Sequence, residues 1–217
     1  GCKKMTTEVK LQNLVLQMDQ DANFMPYADL FAKSRDRRTP FIYDPEKKCH
    51  IIDKHGVADF MTYYNCLQTA RWREYTMADD FGLCLDIKGR FAIEIYEIYR
   101  NSDNVNFTMI KNCVFDCKER ELIKIKLPVS DKKLISFKLT ALENVELYSG
   151  YYYTQAEEEL IRDVRISLVT TTFKKQQYIK KNIEMLKSKV LCDDSDLKNR
   201  LFVHIIDNER ALDPVQY

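Results

Sequence analysis

No stretch of this 217-residue sequence approaches the ~20 consecutive apolar residues of a membrane-spanning helix. The opening Gly1-Cys-Lys-Lys-Met5 has none of the apolar core of a secretory leader. Neither sign of charge is in excess. The formal net charge is +1, without a basic stripe, so no nucleic-acid partner is expected. A glycine-rich phosphate-binding fingerprint is missing, as are internal repeats and low-complexity segments. The seven cysteines are odd in number and scattered. Cys113 and Cys117 lie four apart, but no second pair or nearby histidine completes a zinc site, so reduced thiols and no metal are expected.

Apolar residues make up 45% of the chain, enough to build a core. Up to about residue 156 their period is two. Phe81, Leu83, Leu85 and Ile87 alternate with smaller or polar residues, as do Phe91, Ile93 and Ile95. Ile123, Ile125 and Leu127 do the same, followed by Ile135, Phe137 and Leu139. This is the pattern of strands with one wet face. Ile87-Lys-Gly-Arg90 is predicted to be a tight turn between two of them, and Pro128–Lys132 another. With no helix-period segment between the strands, residues 1–156 are predicted to form a mainly β domain, an antiparallel β-sandwich or jelly roll.

The pattern changes after the charged connector Gln155–Leu160. Ile166, Leu168 and Val169 read as a buried parallel strand. Tyr178, Ile179, Ile183, Leu186 and Val190 recur at helical spacing, and Leu201-Phe-Val-His-Ile-Ile-Asp207 reads as a second strand. Residues 163–217 are thus predicted to hold a βαβ unit, the opening of a nucleotide-binding α/β domain. Ligands of such sheets bind at the C-terminal strand ends, here Thr170–Phe173 and Asp207–Glu209. Threonine hydroxyls, N–H groups at the helix start, and Lys174 or Lys175 can hold a pyrophosphate, and Asp207 a ribose or a uracil N–H. Spacing alone equally fits an ordinary βαβ unit with a capping threonine and a solvated basic turn. His204, inside the second strand, reads as a buried structural histidine, and Asp193-Asp-Ser-Asp196 as a solvated loop.

Three segments in order resemble one family. Val169-Thr-Thr-Thr-Phe-Lys-Lys175, a helix and then His204-Ile-Ile-Asp-Asn208 resemble the start of the catalytic domain of family-2 glycosyltransferases. Ala58-Asp-Phe-Met-Thr-Tyr-Tyr-Asn-Cys-Leu67, with Trp72 and Arg73 beyond, resembles an aromatic segment in the N-terminal β-domain of polymerising galactofuranosyltransferases. Leu147-Tyr-Ser-Gly-Tyr-Tyr-Tyr-Thr154 resembles that domain's closing strand.

The resemblance implies a GT-A, Rossmann-like fold for the second part, left incomplete at Tyr217. It implies transfer of a sugar, galactofuranose, from a UDP-sugar donor to a growing cell-surface glycan. It places the donor nucleotide on Thr172, Phe173, Lys175 and Asp207. The family shows Arg where Lys175 stands and Pro where Thr171 stands; lysine keeps the charge but not the bidentate fork. A divalent metal, Mg or Mn, and a catalytic carboxylate are implied downstream of Tyr217, so no catalytic residue is assigned here and the segment alone is expected to be inactive. Homo-oligomers and a cytoplasmic location at the inner membrane face, with peripheral membrane association, are further expectations. Trp72 and Tyr152 are the candidate glycan contacts, with core packing the competing role for Trp72. The alternatives are a non-catalytic carbohydrate-binding β-sandwich and an assembly module.

Overall fold

The computed structural model of the chain describes residues 5–16, 30–35, 41–101, 104–128, 134–192 and 197–208. It divides into two compact units, Gly1–Leu160 and Ile161–Tyr217.

Among the described residues of the first unit, nine strands join one sheet. They are β1 (Thr6–Asn13), β2 (Lys33–Ser34), β3 (Phe41–Asp44), β4 (Cys49–Ile52), β5 (Val57–Asp59), β6 (Gly82–Asn101), β7 (Asn104–Lys126), β8 (Leu134–Ala141) and β9 (Val145–Glu157). The sheet is antiparallel and continuous, in the order β2-β5-β8-β6-β9-β4-β3, with β1 on β9 and β7 on β6. The unit is mainly β, as expected, but its strands are not divided between the two separate sheets of a sandwich.

The predicted turn at Ile87–Arg90 does not form. Leu83, Leu85 and Ile87 and then Phe91, Ile93 and Ile95 all belong to β6, and all six are buried. What changes at Gly89 is the neighbour. Residues 82–88 of β6 pair with β9, and residues 91–98 pair with β8 along the same edge. The other edge is held throughout by β7. Gly89 has φ +120°, a region open mainly to glycine, and sits at an irregularity in the register with β7. A Cβ there would lie 2.5 Å from the Asn144 carbonyl oxygen. The next carbonyl, that of Arg90, accepts hydrogen bonds from the N–H groups of Leu142 (2.9 Å) and Glu143 (3.1 Å), which link β8 to β9. Gly89 thus marks a change of strand partner within β6 and not the tight turn expected from the sequence.

One further element escaped the period-two reading. Thr69–Tyr75 is a short helix, α1. At seven residues it is too short to show a helical repeat. The core of the unit runs from Leu14 through Phe60, Leu67, the β6 row and Phe137 to Tyr152, with Trp72 packed against it.

In the second unit, β10 (Ile166–Thr172), α2 (Gln176–Lys189) and β11 (Leu201–Asp207) form a βαβ unit. Its strands are parallel, with Ile166 opposite Leu201 and Thr172 opposite Asp207. The strands are not buried as expected. Leu168, Val169, Phe202 and Ile206 are exposed, as is His204. Two strands and one helix cannot cover both faces of a parallel sheet, which is why a run of apolar residues did not mean burial here.

Gly89→Val should destabilise the first unit by roughly 2–4 kcal/mol, the sum of backbone strain and overpacking. Urea unfolding followed by the fluorescence of Trp72, the only tryptophan, measures this. An unchanged midpoint would show that the β6 crossover tolerates a side chain.

Candidate functional site

The residues predicted to hold a nucleotide come together at one end of the second unit. Thr172 ends β10 and lies opposite Asp207, which ends β11, and the Asn208 N–H donates to the Thr172 carbonyl at 3.1 Å. Thr172 is buried, and its hydroxyl has no hydrogen-bond partner among the described residues. Such a group costs about 1–3 kcal/mol relative to a satisfied one. Phe173 is exposed. Lys174 follows at φ +54°, unusual for a residue with a side chain, and its Nζ lies 5.2 Å from the Phe173 ring centroid. Lys175 stands at the start of α2. It gives the helix no side-chain cap, and the first turn contains no carboxylate. Its carbonyl accepts from the Tyr178 N–H at 3.0 Å, and its Nζ lies 5.5 Å from the Tyr178 ring centroid. A helix start without an anionic cap, two lysines and a buried hydroxyl favour a ligand with negative charge.

The divalent metal is a different matter. Among the described residues no group of three His, Cys, Asp or Glu is placed to hold an ion. Asp193–Asp196 lies outside the described residues. The described residues offer no fit for a metal ion.

In the first unit the segment with the aromatic resemblance is a loop tied down by buried hydrogen bonds. Its centre is Asn65, which is fully buried. The Asn65 Oδ1 accepts from the Val15 N–H (2.8 Å), and its Nδ2 donates to the Val15 carbonyl (3.0 Å) and to Thr62 Oγ1 (3.1 Å). The Asn65 carbonyl accepts from the hydroxyls of Tyr152 (2.9 Å) and Ser136 (3.2 Å). Ser136 Oγ also donates to the Phe60 carbonyl at 2.5 Å. Thr62 and Asn65 stand in the segment that carries the aromatic resemblance, but neither they nor Ser136 are marked by the sequence as structural anchors. Polar residues among strands carry no periodic signal, and their partners lie about 50 to 90 positions away.

The two predicted glycan contacts are placed by this loop and the sheet. Tyr152 is fully buried, so the structure makes it a core residue and not a glycan contact. On a strand its neighbours must face the other way, and Tyr151 and Tyr153 do so, half-buried on the outer face. There Tyr151 donates to Glu8 Oε1 at 2.8 Å. Trp72 sits on α1 with one side against the core. The most exposed rings in the region are Tyr63 and Tyr75.

Cysteine chemistry is unfavourable. Burial pushes the Cys66 thiol up to about 11, and burial with the Glu121 carboxylate pushes Cys117 up to about 11. Neither is a thiolate near neutral pH.

A cleft of about 540 Å³ at the β6 crossover is lined by Lys47, Lys88, Gly89, Arg90, Asn144 and Glu146 among others. Lys47 Nζ donates to Glu146 Oε1 at 2.5 Å, and the Tyr148 hydroxyl donates to Oε2 at 2.7 Å. Lys47 first, and Tyr148 next, hold the Glu146 carboxyl below its ordinary value, and the same bond pushes Tyr148 up to about 12. Lys47, Glu146 and Tyr148 thus form one hydrogen-bonded set on the wall of the cleft.

Two outcomes are expected. Asn65→Ala leaves the Val15 N–H and carbonyl and the Thr62 hydroxyl without their partner and should cost roughly 2–4 kcal/mol in urea unfolding. A loss below about 1 kcal/mol would mean the loop is not held by this side chain. Because the folded Glu146 carboxyl titrates below its unfolded value, its contribution is complete above the ordinary carboxylate range and is lost as pH falls through the folded value. The thermal midpoint should therefore drop as pH falls below the ordinary carboxylate range, and Glu146→Gln should flatten that drop.

Comparison with known proteins gives a family and two distant structural likenesses. No curated protein matches the chain. Among solved structures, the Clostridium thermocellum N-terminal endo-1,4-beta-D-xylanase 10B, as CBM22-1 and GH10 modules complexed with xylohexaose, is similar at 10% identity and a TM-score of 0.41. That match covers 90% of this chain and 38% of the other. A Glycosylation Associate Protein (Gap123) complex from Streptococcus agalactiae is similar at 10% identity and a TM-score of 0.25, covering 93% of this chain and 60% of the other. The chain therefore spans less than two thirds of either structure, and at these scores neither informs its function. The family model described as galactofuranosyltransferase 2 N-terminal matches residues 11–155. That span takes in the pinned aromatic loop and nearly all of the nine-stranded sheet, and the chain belongs to the galactofuranosyltransferase 2 N-terminal family.

Proposed function

We propose that the chain is the N-terminal portion of a glycosyltransferase that moves a sugar, galactofuranose, from a UDP-linked donor to a growing cell-surface glycan. In this reading the second unit is the opening of a GT-A domain and contributes one wall of the donor pocket. The family supports the glycosyltransferase parent. The observation that carries the donor reading is the strand-end constellation. A buried hydroxyl without a partner stands at the end of β10, opposite Asp207 at the end of β11, and the helix start that follows at Lys175 has no anionic cap.

The division of labour follows from the chemistry of each group. Lys175 and the α2 N–H groups offset diphosphate charge. The Thr172 hydroxyl can donate to a phosphate oxygen, and Asp207 can accept from a ribose hydroxyl or the uracil N–H. Phe173, exposed beside them, gives a base an apolar face. These groups bind and orient the leaving nucleotide. Deprotonation of the acceptor and any metal assistance belong to residues outside this chain. No helix among the described residues is long and apolar enough to cross a membrane. In this reading any membrane association of the parent is peripheral, at the cytoplasmic face where a UDP-sugar would be supplied.

Titration of the chain with UDP, up to about millimolar concentration, tests this by amide NMR. Shifts should concentrate at residues 172–178 and at Asn208. Lys175→Ala should weaken binding about tenfold, the loss of one charge-assisted contact. Thr172→Val, which keeps the shape, should weaken binding without lowering stability. Absence of saturable shifts at these positions would reject the donor reading.

A further inference from the structure

We propose that Tyr63 and Tyr64 form a glycan-binding subsite on the first unit, a corner of two rings that takes one sugar residue of a galactofuranose chain. The choice of sugar rests on the transferase reading above; the existence of the corner does not.

The geometry comes first. Tyr63 is 77% exposed and Tyr64 42%. Their ring centroids are 5.2 Å apart and the planes meet at 86°, so one ring is a floor and the other a wall. Phe31 supports Tyr64 from behind, with centroids 5.3 Å apart. Neither phenolic hydroxyl has a hydrogen-bond partner among the described residues.

The corner is also pre-set. The Tyr64 N–H donates to the Leu30 carbonyl at 3.1 Å, and the Tyr64 carbonyl accepts from Gln12 Nε2 at 2.7 Å. The next residue is Asn65, whose side chain and carbonyl are bound into the core as described above. Backbone entropy that a flexible loop would lose on binding is already lost in folding, so a weak ligand meets a surface that needs little ordering. Asn65 faces inward and anchors the loop, while the rings of Tyr63 and Tyr64 face out.

The chemistry then selects the occupant. A docking surface for a protein requires a contiguous apolar patch of several hundred Å². Here the apolar area is two phenol faces with polar tips. A sugar ring has the same division on the same scale: a face of C–H bonds whose positive edge suits an aromatic face, and a rim of hydroxyls that can pair with the two phenols. The corner carries no charged side chain of its own, which fits a neutral glycan better than a phosphorylated one.

The test uses the 217-residue chain with a galactofuranose hexasaccharide as probe and maltohexaose as control. Saturation-transfer NMR and intrinsic tyrosine fluorescence should report binding of the first sugar chain. Tyr63→Ala should weaken it about tenfold, the worth of one aromatic contact, while Tyr63→Phe should keep most of it. Tyr63 lies on the surface, so the thermal midpoint should not move. UDP is titrated in the same samples, and its affinity should be the same in all three proteins. Loss of UDP binding alone would reject the donor reading and leave the corner standing. Hexasaccharide binding that is absent, or equal in wild type and Tyr63→Ala, would overturn the subsite. So would a concentration-dependent mass in sedimentation that Tyr63→Ala abolishes, since the corner would then be a contact between protein copies.

Discussion

Strand β6 has one edge to offer and two strands to bind there, and the first unit depends on how that conflict is met. An antiparallel edge can pair with one strand at a time. β9 takes residues 82–88 and β8 takes 91–98. Between them the chain must step sideways without leaving the sheet. Gly89 allows the step, because its φ of +120° and its missing Cβ let the Asn144 carbonyl approach. The Arg90 carbonyl then accepts from two successive N–H groups of the β8–β9 link, so the exchange leaves that acceptor satisfied. With the step in place, one strand divides its edge between two neighbours while the row from Leu83 to Ile95 stays on one side and fills one core. Without it, β8 and β9 would compete for the same hydrogen bonds.

The second constraint is polar. Loop 60–67 carries no strand of its own, so its backbone groups must be paired individually. Backbone partners take most of its N–H groups, the hydroxyls of Ser136 and Tyr152 donate to the Phe60 and Asn65 carbonyls, and the Asn65 side chain ties the loop to Val15. Buried networks of this kind are favourable only when every member is satisfied. The aromatic loop and the closing strand, far apart in the chain, are thus two sides of one hydrogen-bonded unit. It also fixes the role of Tyr152. Its burial pushes the hydroxyl well above the ordinary tyrosine range, so it remains a donor.

How much of this could be read from the sequence depended on whether the signal was periodic. The alternation of Leu83 to Ile95 located a strand, and that of Ile135 to Leu139 another, because burial on one face of a sheet leaves that mark. Gly89 left a mark too, but a glycine signals freedom of φ, and the same residue serves a turn or a bulge. Helix α1 and the Asn65 network left none. In the second unit the strand and helix positions were legible, but burial was not, since apolar content reflects what a segment could bury and exposure reflects how many elements surround it. The positions of Thr172 and Asp207 at adjoining strand ends followed from topology alone, whereas the nucleotide role proposed for them needed the resemblance.

Thr172 gives that role a physical argument independent of the resemblance. Among the described residues of the second unit, Thr172 and Ile179 are the buried ones. A unit with so little interior has small reserves of stability, and a buried hydroxyl without a partner draws on them by about 1–3 kcal/mol. Valine has the same shape, a high β propensity and no polar group to satisfy. Selection for stability alone would favour it at the end of β10. A threonine there is economical only if its hydroxyl is used in some state of the protein. The position narrows the use, for it stands beside a helix start without an anionic cap, next to two lysines and across from a carboxylate. An anionic ligand with a hydroxylated portion satisfies all of these groups together, and a nucleoside diphosphate is such a ligand.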